Sequence, residues 1–195
     1  MRTKKGLWLF GALLSLGLAP QAWGRGSSSE FGLDIEPIIG YERVQKLVPT
    51  AHTKDRLVYG GRLTLGVPLF SIETEYTRGQ DSESFTSPTL STTDTTDKLK
   101  LGIRSSIRLD KNLFSFILRA GVQARRNIHE EDNGGGTVRT EEPIEYDPYA
   151  GAGLKVKLGQ RAKIAFFADF VVVFNELNDF SQNEYLISSG LSLRI

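Results

Sequence analysis

The sequence predicts an all-β protein, an eight-stranded antiparallel up-and-down transmembrane β-barrel. Three observations predict this fold. Eight segments alternate apolar and polar residues, one side of each segment is free of charge, and short connections alternate strictly with long ones. A period of two is typical of a strand with unlike faces. Charge-free sides and alternating connection lengths are typical of barrels that cross a bilayer.

The N-terminus of the 195-residue chain has the features of a secretory signal peptide. Arg2, Lys4 and Lys5 precede an apolar run over residues 6–19, which is too short to span a bilayer comfortably. Small residues two positions apart then predict cleavage after Gly24. An uncleaved N-terminal anchor is the alternative interpretation.

Cleavage there leaves roughly 170 residues, which suffice for one domain. We expect residues 1–24 to be a cleaved signal peptide, residues 25–30 a short linker and residues 31–195 the barrel.

The chain contains no cysteine, which excludes disulfides and cysteine-ligated metals. Its formal net charge of +1 does not indicate nucleic-acid binding. We therefore expect no cofactor, no metal site and no nucleic-acid partner.

Most of the eight segments approach the 9 to 11 residues that a tilted strand needs to cross hydrocarbon. In order, they span residues 31–41, 57–67, 70–76, 99–109, 114–124, 148–158, 164–174 and 185–195. Pro37 and Pro148 interrupt the first and sixth segments, and a bulge or a strand end is expected near each because proline lacks an amide hydrogen.

In each segment, every second residue belongs to one of two sets, here called parities, and one parity carries no charge. In the fourth segment, for example, Leu99, Leu101 and Ile103 share this side. A lipid-facing lysine or arginine near the bilayer midplane costs about 2 to 4 kcal/mol, so the charge-free side is expected to face lipid. The alternative is a soluble periplasmic barrel of lipocalin type, in which the apolar side faces a cavity.

The connections between segments favour the membrane barrel. Three are very short, at residues 67–69, 110–112 and 159–161. Four are long and polar, at residues 45–55, 79–96, 127–145 and 176–183. Outer-membrane barrels have short periplasmic turns and longer external loops, and an even strand number puts both termini on the turn side.

These features resemble the eight-stranded OmpA-type and OmpX-type barrels. The resemblance covers the chain from about Phe31 onward and rests on alternation and topology, without a diagnostic motif. It implies location in the cell outer membrane, contact with its lipids and lipopolysaccharide, and insertion by the barrel assembly machinery. We also expect a monomer. Such barrels commonly close with an aromatic residue, whereas this chain ends at Ile195.

An eight-stranded barrel is just wide enough for its own side chains to fill. The charged parity predicts that an ion-pair network fills this lumen, because neighbouring strands mostly carry opposite signs. Its predicted members are Asp34, Glu36, Arg62, Glu73, Glu75, Lys100, Arg104, Arg108, Arg119, Lys155, Lys157, Asp169 and Arg194. Inward glycines, including Gly60 and Gly121, are expected either to leave room for long basic side chains or to relieve barrel curvature.

A lumen crowded with paired charges conducts poorly. The expected function is therefore non-enzymatic, a structural or surface-interaction role through four external loops, as the resemblance implies. A narrow ion or small-solute pore is the alternative.

A lipid A-modifying acyltransferase is a further alternative. The palmitoyltransferase PagP is similar in having eight strands, and its chemistry uses a histidine with an Asp-Ser pair in external loops. His52 with Asp81 and Ser82 is the nearest equivalent here, but the helix that precedes the PagP barrel has no counterpart. His129 is expected to be a solvated loop residue. No catalytic residues are therefore assigned.

Overall fold

The computed structural model describes residues 31–46, 52–86, 89–109, 113–159, 162–175 and 183–195. The expected signal peptide and linker lie outside the described residues, as does the expected short turn at residues 110–112. No helix within the described residues is long and apolar enough to cross a membrane.

The described residues form nine antiparallel strands, eight of which close into a barrel. The strands are β1 (Gly32–Lys46), β2 (His52–Val67), β3 (Phe70–Thr86), β4 (Thr89–Arg108), β5 (Phe114–Asp132), β6 (Thr137–Glu141), β7 (Glu145–Lys157), β8 (Ile164–Val173) and β9 (Glu184–Arg194). Around the wall, β1 to β5 are followed by β7, β8 and β9, and β9 pairs with β1. Strand β6 pairs with the end of β5 outside this ring. The predicted fold class is confirmed.

The barrel closes where β9 meets β1, with Asp34 opposite Arg194 and Tyr41 opposite Ile187. This ladder is interrupted at Glu36 and Pro37, although Pro37 remains in register with β2. The interruption has a physical cause, because proline has no N–H to donate to a neighbouring strand.

Pro148 lies at a similar discontinuity. It is in register with Val122 of β5, whereas the ladder between β7 and β8 begins one residue later, at Tyr149. Each proline therefore lies at a gap or at the end of the ladder with one neighbour, while the other ladder continues, and the Pro148 carbonyl still accepts a hydrogen bond of 2.9 Å from the N–H of Phe174.

The ladders extend beyond the predicted membrane segments at the end of the barrel that carries the long connections. Strands β3 and β4 stay paired as far as Thr86 and Thr89, so much of the polar segment at residues 79–96 is a hairpin rather than a loop. Strand β5 likewise continues to Asp132 and pairs with β6. Threonine favours strands, and cross-strand contacts such as the 3.1 Å one between Ser82 Oγ and Thr93 Oγ1 add to the pairing.

The two faces of the wall have opposite character. Ile72, Leu101 and Ile187 are 56 to 62% exposed on the outside, whereas Arg62 and Glu73 are buried inside. The lipocalin-type arrangement, with charges outside and leucines inside, is therefore wrong for the described strands. An apolar outer surface is the arrangement that lipid requires.

Two inward glycines lie where neighbouring backbones approach closely. A Cβ atom on Gly60 would lie 1.9 Å from the carbonyl oxygen of Tyr76, and one on Gly121 would lie 2.1 Å from that of Leu101. These contacts are with backbone rather than with basic side chains. Relief of barrel curvature is therefore the better explanation at these two positions.

The substitution Ile103→Lys tests the lipid-facing side. Ile103 is 45% exposed on β4, opposite Ile72 of β3. A lysine there is expected to lower the free energy of unfolding by about 2 to 4 kcal/mol, measured by urea unfolding in lipid vesicles. Val138→Lys is the control, because Val138 is 60% exposed but lies on β6, outside the barrel ring. Equal losses in the two variants would contradict a lipid-facing wall.

Candidate functional site

The middle of the lumen is organised around Arg62 of β2, whose side chain is fully buried. Its guanidinium donates hydrogen bonds to Glu36 at 3.0 Å, Glu75 at 2.8 Å and Asp169 at 2.7 Å. These carboxylates come from β1, β3 and β8. One cation therefore joins four strands across the lumen.

Arg119 of β5 forms a second centre beside the first. It donates to Glu73 at 2.8 Å, Glu75 at 2.7 Å and Asp169 at 2.9 Å, and its side chain is also fully buried. The hydroxyl of Tyr149 donates to Glu73 at 2.7 Å. Both arginines therefore share the carboxylates of Glu75 and Asp169.

Further predicted members contact these centres or lie beside them. The Nζ atom of Lys100 lies 2.6 Å from Glu75, and Nη1 of Arg104 lies 2.8 Å from Glu36. Nearer the short turns, Lys155 donates to Asp34 at 2.6 Å. Arg194 lies 4.0 Å from that same Asp34 carboxylate.

Arg108 and Lys157 differ from the other predicted members. Within the described parts of the chain, neither makes an ion pair with a carboxylate. Both line a cavity at the turn end, which is the end of the barrel that carries the turn at residues 67–69.

A second buried cluster lies toward the loop end, which is the opposite end of the barrel, and it was missed by the sequence analysis. Arg56 donates to Glu42 at 3.0 Å, and Lys98 contacts both Glu42 and Glu184, the latter at 2.6 Å. Arg125 also contacts Glu184. These residues lie just beyond the segments predicted to span the membrane. The alternation continues past the ends of the predicted segments. Following the charged parity two residues further, for example from Lys100 to Lys98, would have identified them.

Of the three residues considered for acyl transfer, Asp81 and Ser82 have side chains that the structure describes. The side chain of His52 lies outside the described residues. The Asp81 carboxylate lies 3.2 Å from Lys54 and 3.6 Å from Arg56, so two cations face it. A carboxylate held in this way is poorly placed to orient a catalytic base.

His129 has a partner that the sequence analysis did not predict. Its Nδ1 atom lies 2.5 Å from Asp94, because the two residues are directly opposite in the ladder between β4 and β5. The pair is partly exposed at the loop end.

The loop end carries further ion pairs. Arg126 and Arg139 donate to Glu141 at 2.6 and 3.0 Å and hold the pKa of that carboxyl below its ordinary value of 4.5. Arg43 similarly lowers the pKa of Asp55 through a hydrogen bond of 2.9 Å. In the described residues, no group of three or more metal-ligating side chains is placed to hold a metal ion.

Several solved structures are similar to this architecture. Ail of Yersinia pestis, in complex with the heparin analogue sucrose octasulfate, aligns with a TM-score of 0.56 at 11% identity, covering 85% of this chain and 100% of that one. Neisserial surface protein A aligns with a TM-score of 0.55 at 11% identity, covering 88% and 100%. This is the fold of the small outer-membrane β-barrels.

The N-terminal barrel domain of Pseudomonas aeruginosa OprF is similar as well, with a TM-score of 0.53 at 12% identity over 85% of this chain and 100% of that domain. No protein-family model and no curated protein matches the chain. At such low identity, the similarity to small outer-membrane barrels is one of fold.

The substitution Glu75→Gln tests the lumen network. Glu75 contacts Arg62, Lys100 and Arg119, so its neutralisation leaves three buried cations short of an anion. The free energy of unfolding is expected to fall by about 3 to 5 kcal/mol, measured by urea unfolding with the folded fraction read from gel mobility without boiling.

The matched control is Asp55→Asn, which breaks an ion pair whose side chains are more than half exposed. Exposed pairs contribute little, so this variant is expected to unfold close to the wild-type urea concentration. A Glu75→Gln variant as stable as this control would show that the buried network contributes little to stability.

Proposed function

We propose that the chain is a non-enzymatic outer-membrane protein in which a rigid barrel presents an interaction surface at the loop end. The observation that carries the proposal is the cross-lumen bridge formed by Arg62, Arg119, Glu75 and Asp169. Its side chains are at most 1% exposed, and it joins β2, β3, β5 and β8. A lumen bridged in this way is a core rather than a passage.

The outer surface supports placement in a bilayer. Tyr41, Tyr59 and Tyr76 project outward toward the loop end, while Phe70 and Phe114 do so at the turn end. Aromatic residues are enriched at both interfaces of a membrane. We propose that a cleaved signal peptide exports the chain and that the assembly machinery inserts it as a monomer among outer-membrane lipids and lipopolysaccharide.

The loop end has a chemistry that favours a particular kind of partner. Acidic residues outnumber basic ones there, and the β5–β6 region contributes Glu130, Glu131, Asp132 and Glu142. An acidic surface attracts basic partners and repels polyanions. The partner class proposed here is therefore a cationic surface, in contrast to the sulfated compound in the Ail complex.

Planar-bilayer recording tests the closed lumen. The refolded barrel is expected to give no steady open level, because the buried arginine bridge crosses its interior. Gel mobility without boiling shows that the sample is folded. A general diffusion porin in the same bilayer shows that conductance is detectable. A steady, reproducible open level would favour the narrow-pore alternative instead.

Binding of charged polymers tests the loop-end surface. With the protein in lipid nanodiscs, poly-L-lysine is expected to bind and heparin is not, and added salt is expected to weaken the binding. The variant Glu130→Gln/Glu131→Gln/Glu142→Gln should bind poly-L-lysine more weakly. The charge-preserving variant with Asp at these three positions is the control and should match the wild type. Binding of heparin in place of poly-L-lysine would contradict the proposed partner class.

A further inference from the structure

The turn end of the lumen contains a basic cavity of about 60 Å³ that the ion-pair network leaves unfilled. Basic side chains lining it belong to Arg104, Arg108, Lys155, Lys157, Lys163 and Arg194. Asp34 is the acidic residue among the described lining residues. The cavity is therefore strongly positive.

Two residues that line the cavity carry buried donors without a partner. The Arg104 side chain is 1% exposed, and its Nη1 atom donates to Glu36 at 2.8 Å and to Thr64 at 3.2 Å. Its Nε and Nη2 atoms are buried and have no hydrogen-bond partner. The hydroxyl of Ser192, which also lines the cavity, is likewise buried without a partner. Buried donors left unpaired cost free energy, so these groups are suited to an acceptor.

The charges of the lumen also do not balance at this end. Among the described residues that line the cavity, six are basic and Asp34 is acidic. Arg108 and Lys157 have no carboxylate partner within the described part of the chain. The charged neighbours of Lys157 are Arg108, Arg194 and Lys155, with Asp34 as the acidic one. Partly desolvated cations of one sign are costly unless an anion compensates them.

We propose that this cavity binds one tetrahedral oxyanion of the phosphate class, a site distinct from the loop-end surface. A cavity volume of about 10 to 15 Å³ holds one water molecule, so this cavity has room for a few water molecules or for one phosphate group. The two unpaired N–H groups of Arg104 are shielded in the structure, and a rotation of this side chain toward the cavity would let them make bidentate contact with phosphate oxygens. Ser192 supplies a further donor, and Arg108 and Lys157 supply compensating charge.

Two sources provide this chemistry, a soluble phosphate and the phosphate of a lipid headgroup at the adjacent membrane surface. The cavity lies inside the barrel wall, between the turn at residues 67–69 and residues 162–163. Both sources share the oxyanion that the basic residues recognise, and the experiment separates them.

Calorimetric titration of the folded protein with inorganic phosphate, in an uncharged maltoside detergent at low ionic strength, tests the site. Saturable binding of one phosphate per barrel is expected. Arg108→Gln/Lys157→Gln should weaken it by about tenfold or more, since two charge-assisted contacts are lost. Neither substitution breaks an ion pair among the described residues, and cold gel mobility reports whether the variant folds.

The matched control is Arg126→Gln/Arg139→Gln, which removes the same charge at the loop end and should leave phosphate affinity unchanged. A second variant, Ser192→Ala, should weaken binding without changing the net charge. Weaker binding by this variant would show that specific contacts hold the phosphate, rather than the general positive charge of the turn end.

The lipid arm repeats the titration in micelles containing phosphatidylglycerol, with uncharged diacylglycerol as the comparison. Displacement of phosphate by phosphatidylglycerol assigns the site to a lipid headgroup, and no displacement assigns it to a soluble oxyanion. The proposal is wrong if neither phosphate nor phosphatidylglycerol binds saturably. It is also wrong if the loop-end control loses as much affinity as the turn-end variant.

Discussion

The structure depends on closure of the backbone ladder between β1 and β9. A strand edge left open in hydrocarbon would expose N–H and C=O groups that have no water to bind. With Asp34 opposite Arg194 and Tyr41 opposite Ile187, the two terminal strands of the barrel pair with each other, with a gap at Glu36 and Pro37. Closure also divides the side chains into an outer set and an inner set, because they alternate along every strand.

Closure creates the second constraint, since eight strands enclose a space that side chains must fill. Here the filling is ionic. Arg62 and Arg119 each contact three carboxylates, and they share Glu75 and Asp169. A buried charge without a partner is expensive, so each residue of the bridge makes the burial of the others tolerable. The apolar surface that forms the core of a soluble protein lies on the outside.

The two ends of the barrel differ in length and charge. At the turn end, the connection at residues 67–69 is tight and basic residues such as Arg108 and Lys157 line a cavity. At the loop end, β3, β4 and β5 continue as paired strands, and acidic residues predominate. The buried bridge therefore separates two ends of opposite charge.

The sequence allowed two facings of the strands, and only the structure excluded the inverted one. The sequence alone predicted the fold class and favoured the observed facing, because alternation is a local property and lipid excludes charge from one parity. It placed Arg62 and Glu75 on the inner side in this way. The tertiary structure decided which charges meet. Arg62 contacts Asp169, 107 residues away, because strand stagger and closure set neighbours across the lumen. The paired hairpin of β3 and β4 was likewise missed, since its polar residues have no apolar alternation and its register continues from the membrane wall.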